Sequence, residues 1–319
     1  MLYSQPCGEF VTATGFESMG PIQLFWRSNA AVLRRGGSLL TRLAEHAYFR
    51  GSEPKLSSAQ KNLIRQNEKL RGRHAGKRCF VIGNGPSLKS QDLAPLANEI
   101  TFVMNAFWKH SILDTSWQPK YFCFADAFCY DGTAAVKQFF ASVRERAHSA
   151  EYLFPVEGKP VVERDALLPL DATHFFAFQG QPIGFSVADT FDLTRPVPFP
   201  FSTAQLAIMA AMFMGCSPIY LMGLDHDWLA HRGADTHFFS GRSLENHPTA
   251  TGELDYSYES EIEAMRKLWK GYRKLSEFAD AHGLKIFNAT AGGFLDVFPR
   301  ANYEALVELH HGAVSEARP

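Results

Sequence analysis

The sequence is poor in cysteine, in long apolar runs and in basic residues on its main body, and each shortage excludes a class of protein. Its five cysteines form no Cys-x-x-Cys pair, which argues against a disulfide framework and against a zinc site. The longest apolar stretch, 204–215, is too short to span a bilayer. The first residues lack the basic and apolar segments of a secretion signal, so we expect a cytoplasmic protein.

The overall charge of −1 hides an uneven distribution along the chain. Residues 1–78 carry 13 Lys and Arg against 5 Asp and Glu, a net charge of +8, whereas the remainder carries a net charge of −9. A nucleic-acid-binding fold would carry the basic surface itself, so no nucleic-acid partner is expected. The basic leader, with a helical pattern over 27–50, instead predicts a peripheral contact with the inner face of an anionic membrane.

Short apolar runs alternate with helical patterns over most of the chain. The runs lie at 79–82, 100–107, 121–125, 152–156, 174–178, 219–224 and 285–287. Helical spacing occurs at 57–70, 134–146, 203–214 and 258–282. This alternation predicts a Rossmann-like α/β fold, in which a mostly parallel sheet has helices on both faces. We expect a basic helical N-terminal extension over 1–75, a nucleotide-binding α/β domain over 76–305 and a flexible tail over 306–319.

A glycine-rich loop, Gly83-Asn84-Gly85-Pro86-Ser87, follows the first predicted strand. Glycine lets the backbone approach a ligand closely, and Pro86 and Ser87 suit the first turn of a helix. Free N–H groups at such a turn attract phosphate, so the loop predicts a phosphate cradle. It is neither a Walker loop nor the dinucleotide-binding G-x-G-x-x-G, because Leu88 replaces the third glycine. A plain strand-to-helix turn is the alternative explanation.

Polar residues also mark the ends of two other predicted strands. Asn105 lies near the end of the second strand, and Gly223-Leu224-Asp225 ends a later one. The helix before that later strand opens with Ser202 and Thr203. Ligands of open parallel sheets bind at the carboxyl ends of strands, near the point where the strand order reverses. The loop and these residues therefore predict one nucleotide-binding site.

The segment from Lys77 to Leu88, Lys-Arg-Cys-Phe-Val-Ile-Gly-Asn-Gly-Pro-Ser-Leu, resembles the opening of the bacterial sialyltransferases that use CMP-sialic acid. It is equally similar to a larger protein family that is named after the archaeal 6-hydroxymethylpterin diphosphokinase. Many members of that family are encoded in bacterial polysaccharide loci. The resemblance covers residues 73 to 300, approximately. It implies that Asn84 and Asn105 match the asparagines that hold the cytidine nucleotide in the sialyltransferases. Thr203 then matches a serine of that site, and Asp225 matches its acid.

The resemblance implies a glycosyltransferase that moves a sialic acid-like or other nonulosonic sugar from a nucleotide-activated donor, CMP-linked, to a cell-surface glycan acceptor. Two differences concern the donor: Pro200 stands where the sialyltransferases have a basic residue, and 226–231 lacks their two tyrosines. The alternatives are a Mg²⁺-dependent diphosphokinase that uses ATP on a hydroxymethylpterin-like substrate, and a non-catalytic nucleotide-binding protein.

The stretch after Asp225 is rich in histidine and is expected to form a lid around 226–250. Its four histidines are His226, His231, His237 and His247. Histidine suits the deprotonation of a sugar hydroxyl near neutral pH. We predict that His237 or His226 is the catalytic base and that Asp225 shapes the site. A solvated loop that happens to be rich in histidine is the alternative.

Asp225 and Asp227 have the Asp-x-Asp spacing by which many glycosyltransferases bind Mg²⁺ or Mn²⁺ through sugar-nucleotide phosphates. Two carboxylates at this spacing are also common by chance. The similarity to sialyltransferases implies no metal, whereas the similarity to the diphosphokinase implies Mg²⁺. The sequence therefore leaves the metal open.

Overall fold

The computed structural model of the chain describes residues 55–184, 191–231, 236–240 and 257–308. Several sequence predictions lie outside these ranges: the helical pattern at 27–50 with its membrane contact, His247 with most of the lid, and the tail beyond residue 308. Within the described residues, no helix is both long and apolar enough to cross a membrane.

Seven parallel strands form the central sheet. They are β1 Cys79–Ile82, β2 Ile100–Met104, β3 Tyr121–Cys123, β4 Glu151–Pro155, β5 Thr173–Phe176, β8 Ile219–Met222 and β9 Ile286–Asn288. Their order across the sheet is β5-β4-β3-β2-β1-β8-β9, and every neighbouring pair is parallel. Two further strands, β6 Phe178–Pro182 and β7 Val197–Phe199, pair with each other separately. The prediction of a mostly parallel α/β fold is confirmed.

Helices cover both faces of the sheet, so its strands are buried on both sides. The α-helices are α1 Ser58–Arg65, α2 Ala134–Arg146, α3 Lys159–Asp165, α4 Thr203–Phe213 and α5 Tyr258–Ala281. Alternate strand residues enter two cores: Val81 packs in the core that contains α4 and α5, and Phe80 packs in the core that contains α2. The sequence of α4 is largely apolar on all sides of the helix, and α4 is accordingly buried along its whole length.

Four elements differ from the sequence prediction. The run at 100–107 predicts a longer strand, but β2 ends at Met104 because Asn105 enters the left-handed region with φ of 47°. The loop after β1 leads into a short 3₁₀ helix, Pro86–Ser90, and not into an α-helix. β6 and β7 escape prediction because their sequences, FQGQP and VPF, show no apolar alternation.

The segment before β1 packs against the sheet. The predicted helix over 57–70 is α1 followed by a 3₁₀ helix, Gln66–Leu70. The buried Asn67 donates through Nδ2 to the backbone oxygens of Phe175 at 2.7 Å and Leu193 at 2.9 Å. The boundary predicted at residue 75 therefore falls inside a packed unit, since a buried amide ties this segment to the sheet.

The end of the described chain is also packed. Residues 303–308 are helical, Tyr303 is buried, and Leu306 and Val307 pack against the core that contains α2. The tail predicted from residue 306 therefore starts within this helix. This helical segment contains too few residues to show a clear helical period of apolar residues in the sequence.

A charged cluster lies at the amino end of β4, on the edge of the sheet opposite the predicted site. Glu151 pairs with Arg73 at 2.6 Å, with His174 at 2.7 Å and with Lys120 at 3.2 Å. Burial would raise the pKa of the Glu151 carboxyl, but hydrogen bonds from these three groups outweigh it and hold the pKa well below its usual range. Ionised Glu151 therefore stabilises the fold at neutral pH, and that contribution is lost as the pH falls.

Replacing Glu151 with Gln should lower the free energy of unfolding by about 1 kcal/mol near neutral pH, because the exposed cations Arg73 and Lys120 and the buried His174 lose their partner. The difference from wild type should shrink as the pH falls below the ordinary carboxyl value of 4.5, where the unfolded chain takes up the proton. Thermal unfolding measured between about pH 3 and about pH 8 tests both expectations. Asp171→Asn, at an exposed carboxyl, is the control, and a difference that does not vary with pH would contradict the assignment.

Candidate functional site

The loops after β1 and β8 meet where the strand order of the sheet reverses. β1 lies between β2 and β8, so the chain leaves β1 on one side and later returns on its other side. Ligands of open parallel sheets bind at such a switch point, at the carboxyl ends of the strands. The loop 83–87, Asn105 and the segment 223–225 all follow strands at this edge. We call this region the switch-point site.

Gly83 and Gly85 are required by the close approach of the segment after β8. Their N–H groups donate to the carbonyl oxygens of Met222 at 2.8 Å and Gly223 at 2.9 Å. A Cβ atom on Gly85 would lie 1.7 Å from Asp225 Oδ2, and one on Gly83 would lie 2.5 Å from the Gly223 oxygen. Gly223 itself has φ of 62°, which favours glycine. These glycines therefore have a packing explanation that needs no ligand.

Asp225 closes the glycine-rich loop from the side of β8. Its Oδ1 accepts from the Ser87 N–H at 3.1 Å, and its Oδ2 accepts from the Ser87 hydroxyl at 2.9 Å. Burial raises the pKa of Asp225, although the two Ser87 donors oppose the shift. The N–H group that the sequence assigns to a phosphate is thus bonded to a carboxylate. Ser87 therefore holds the loop closed through Asp225, and the phosphate-binding role of the loop stays a prediction.

Two buried asparagine oxygens at the switch-point site, Asn84 Oδ1 and Asn105 Oδ1, have no partner among the described residues. Asn84 donates through Nδ2 to the Met104 carbonyl oxygen at 3.2 Å, and Asn105 donates to the Asp126 carboxylate at 2.9 Å. These donor bonds identify which amide atom is the oxygen. A buried acceptor without a partner costs about 1–3 kcal/mol, so both oxygens are poised to accept hydrogen bonds from a ligand.

Asp126 and Thr203 hold the Asn105 side chain in place. Thr203 Oγ1 lies 3.2 Å from both Asn105 Nδ2 and Asp126 Oδ2. Thr203 begins α4, whereas the neighbouring Ser202 caps that helix by accepting a backbone N–H at 3.2 Å. Of these two predicted residues, only Thr203 joins the polar cluster. The sequence analysis does not single out Asp126, although this residue directly follows the apolar run at 121–125. The rule that ligands bind at the carboxyl ends of parallel strands, the strand-end rule, would have found it.

His226 is enclosed by aromatic side chains. Its ring centroid lies 5.6 Å from that of Trp228, 5.9 Å from Trp269 and 5.4 Å from Tyr272. Its Nε2 is bonded to the Tyr272 hydroxyl at 2.8 Å. The residue keeps some exposed surface, but burial of the ring lowers the pKa of His226 to about 4. A general base works best with a pKa near the operating pH, so this packing disfavours His226 as the base, and its catalytic role stays a prediction.

The short segment 236–240 crosses the glycine-rich loop. The Phe238 N–H donates to the Asn84 carbonyl oxygen at 2.8 Å. The Phe238 ring packs edge-on against Phe107 and His110, with centroid distances of 6.1 Å and 4.9 Å. One main-chain hydrogen bond and one aromatic anchor therefore fix this segment beside Asn84.

His237 precedes the anchoring phenylalanine, so it lies next to the switch-point site. Its Nδ1 is 3.1 Å from the Thr236 hydroxyl oxygen, and its ring stacks on Phe239 with a centroid distance of 5.0 Å. When Nδ1 carries the proton and donates to Thr236, Nε2 is the basic nitrogen. His237 therefore stays the candidate base of the two that the sequence predicts.

Solved structures of sialyltransferases are among those similar to this chain. The sialyltransferase CST-II, in complex with a trisaccharide acceptor and CMP, is 15% identical over 70% of this chain and 85% of its own, with a TM-score of 0.38. CstII from Campylobacter jejuni with CMP is 14% identical over 72% and 88%, with a TM-score of 0.29. A mammalian sialyltransferase is 11% identical over 79% and 86%, with a TM-score of 0.31. All three are sialyltransferases.

At these identities and TM-scores the likeness is too remote to carry a ligand or a reaction over to this chain. No family model and no curated protein matches the sequence. The resemblance to the diphosphokinase family therefore stays a prediction, and any assignment of function depends on the residues of the switch-point site.

The Asp-x-Asp pair is engaged within the protein. Both carboxylate oxygens of Asp225 accept from Ser87, and Asp227 lies 3.5 Å from His231 Nε2. Mg²⁺ needs several oxygen ligands, and no group of three metal-ligating side chains occurs in the part of the chain that the structure describes. Asp225 and Asp227 therefore do not fit the Mg²⁺ site that their spacing suggests.

Proposed function

We propose that this protein transfers a sugar from a nucleotide-activated donor to a glycan acceptor, with the nucleotide held at the switch-point site. The observation that carries the proposal is the pair of buried oxygens, Asn84 Oδ1 and Asn105 Oδ1, without partners among the described residues. Buried acceptors need donors, and a nucleoside supplies them through ribose hydroxyls and the amino group of its base. An ionised phosphate offers only acceptors, so it cannot satisfy either oxygen.

The donor that we propose is linked to CMP and carries a sialic acid-like or other nonulosonic sugar. Support comes from the resemblance of the segment from Lys77 to Leu88, because the matching asparagines of the sialyltransferases hold the cytidine nucleotide. The amino group of cytosine is a donor that an asparagine oxygen can accept. Uracil presents a carbonyl at the same ring position, which would oppose an asparagine oxygen and leave both acceptors unpaired.

In the proposed reaction, the acceptor hydroxyl attacks the anomeric carbon of the sugar. The new glycosidic bond forms as the bond from the anomeric carbon to the phosphate oxygen breaks, and the nucleotide leaves with the electron pair. The hydroxyl proton passes to His237 Nε2 as the bond forms. Asp126 and Thr203 orient Asn105, and Asp225 keeps the glycine-rich loop closed. Each of these roles belongs to a side chain of this protein.

A panel of nucleotides, tested by thermal shift, should show stabilisation by CMP. A ligand at a hundredfold excess over its dissociation constant adds about 2.7 kcal/mol to the stability of the folded state. UMP is the matched control, because it differs from CMP only at the base edge, where the N4 amino donor becomes the O4 acceptor and the N3 acceptor becomes an N–H donor. We expect UMP to give a clearly smaller shift at the same concentration.

Other outcomes would favour the alternatives. Stabilisation by ATP with Mg²⁺, and not by CMP, would support the diphosphokinase. Stabilisation by CMP without release of CMP from CMP-N-acetylneuraminic acid in the presence of lactose would support a non-catalytic nucleotide-binding protein. No shift with any nucleotide would contradict a nucleotide-binding function for the switch-point site.

A further inference from the structure

A basic cavity lies between α1 and the turn that precedes β7. Its volume is about 680 Å³, which is in the range of small-molecule sites. Four of its lining side chains are cationic: Lys55, Lys61, Arg65 and Arg195. α1 packs against β5, and β5 is four strands away from β1 in the sheet. At about 4.8 Å per strand, β5 and β1 are roughly 19 Å apart. The basic cavity is therefore distinct from the switch-point site.

None of the four cations forms an ion pair with another described residue. Among the described residues, the acids that lie close to this region are engaged elsewhere: Glu68 and Asp192 pair with Arg71 at 2.8 Å and 3.0 Å. Asp192 Oδ1 also accepts from the Thr194 N–H at 2.9 Å, which holds the carboxylate at the base of its own turn. The four cations therefore line the cavity without acidic partners, whereas the nearby carboxylates pair with Arg71, which does not line it.

Apart from Arg65, which lies in the last turn of α1 where a cation interacts favourably with the helix dipole, these positive charges do not help the fold. Lys61 and Arg65 are four residues apart on α1, and like charges at that spacing destabilise a helix by about 0.2–0.5 kcal/mol. Lys55 lies just before the helix begins, and no acidic residue in the first turn offsets the positive end of the helix dipole. Positive charges that repel one another around a cavity are most simply explained by an anionic ligand.

We propose that the basic cavity binds a ligand that carries two or more phosphate-type groups. Arg65 and Arg195 can hold such oxyanions through paired hydrogen bonds, and Lys55 and Lys61 add point charges. A volume of about 680 Å³ has room for more than one such group. A soluble oligophosphate and the headgroups of an anionic membrane offer the same chemistry, so the test has one arm for each source.

The test uses the full chain and a charge-reversed variant, Lys61→Glu with Arg195→Glu. Arg273→Glu with Lys285→Glu is the matched control, because it makes the same charge change at exposed residues away from the cavity. Binding of inorganic tripolyphosphate is measured by calorimetry at low ionic strength, where charge interactions are least screened. Co-sedimentation with phosphatidylcholine vesicles that contain phosphatidylglycerol, against phosphatidylcholine alone, forms the second arm.

We expect the cavity variant to bind at least one probe about tenfold more weakly than wild type does, since two cations become anions. The control variant should bind that probe as wild type does. Selective loss of tripolyphosphate binding identifies a soluble ligand, and selective loss of vesicle binding identifies a membrane headgroup. Absence of binding by wild type in both arms, or equal loss in the two variants, would overturn the proposal. Unchanged melting temperatures in both variants verify that the substitutions leave the fold intact.

Discussion

Replacing Asn84 with Ala and Asn105 with Gly should abolish the stabilisation of this protein by CMP. Each substitution removes a buried oxygen that has no partner among the described residues and that we assign to a donor group of the nucleotide. A buried hydrogen bond that is no longer made costs about 1–3 kcal/mol, so the double variant should bind CMP roughly 10²-fold more weakly. Calorimetric titration with CMP measures this change directly.

Glycine is the appropriate substitution at position 105. Asn105 has φ of 47°, a conformation that glycine adopts without strain and alanine does not. Asp126 and Thr203 remain 3.2 Å apart and keep each other as hydrogen-bond partners when the amide is removed. The folded state of the variant should therefore lose little stability, and its loss of nucleotide binding can be read separately.

Asn67→Ala is the matched control for the two asparagine variants. Asn67 is also buried, but its Nδ2 donates to the backbone oxygens of Phe175 and Leu193. Its removal should lower the melting temperature while the shift produced by CMP persists. If the Asn84 and Asn105 variants behave in the same way, losing stability and keeping the CMP shift, these residues are structural and the nucleotide assignment is wrong.

The elements that surround the switch-point site were predictable because burial leaves a strong signal in the sequence. β1 and α2 begin and end where the apolar run at 79–82 and the helical spacing at 134–146 predict. The end of β2 was not predictable in this way. The contacts of the Asn105 side chain with Asp126 and Thr203 were not predictable either, because these residues are distant in sequence and meet only when the sheet is assembled.

The roles of individual side chains were harder to predict than their positions. The strand-end rule finds Asn84 and Asn105. It does not reveal that the Asp225 carboxylate accepts a hydrogen bond from the Ser87 N–H group. The same limit applies to His226, which lies four residues after the end of β8 and whose ring turns toward Tyr272 on α5. Local spacing places a residue at an edge of the sheet, whereas long-range packing decides what its side chain contacts.

Replacing His237 with Ala should lower turnover by about 10²–10⁴-fold, the usual contribution of a general base. A sugar hydroxyl is a weak acid, so its attack on the anomeric carbon needs an acceptor for the proton as the bond forms. The Phe238 N–H bond to the Asn84 carbonyl oxygen places His237 beside the switch-point site, and the Thr236 hydroxyl and the Phe239 ring orient its imidazole. Release of CMP from CMP-N-acetylneuraminic acid, with lactose as acceptor, measures turnover.

His231→Ala is the control for this variant, because His231 belongs to the same histidine-rich stretch but is largely exposed, with 60% of its side chain accessible. It should retain turnover close to that of wild type. The affinity of His237→Ala for CMP should barely change, since the asparagine oxygens that we assign to the nucleotide are intact. A base also gives a specific signature: the wild-type rate falls on the acid side as imidazole is protonated, and that limb should disappear in His237→Ala. Turnover within about threefold of wild type, with the acid limb retained, would show that another group takes the proton.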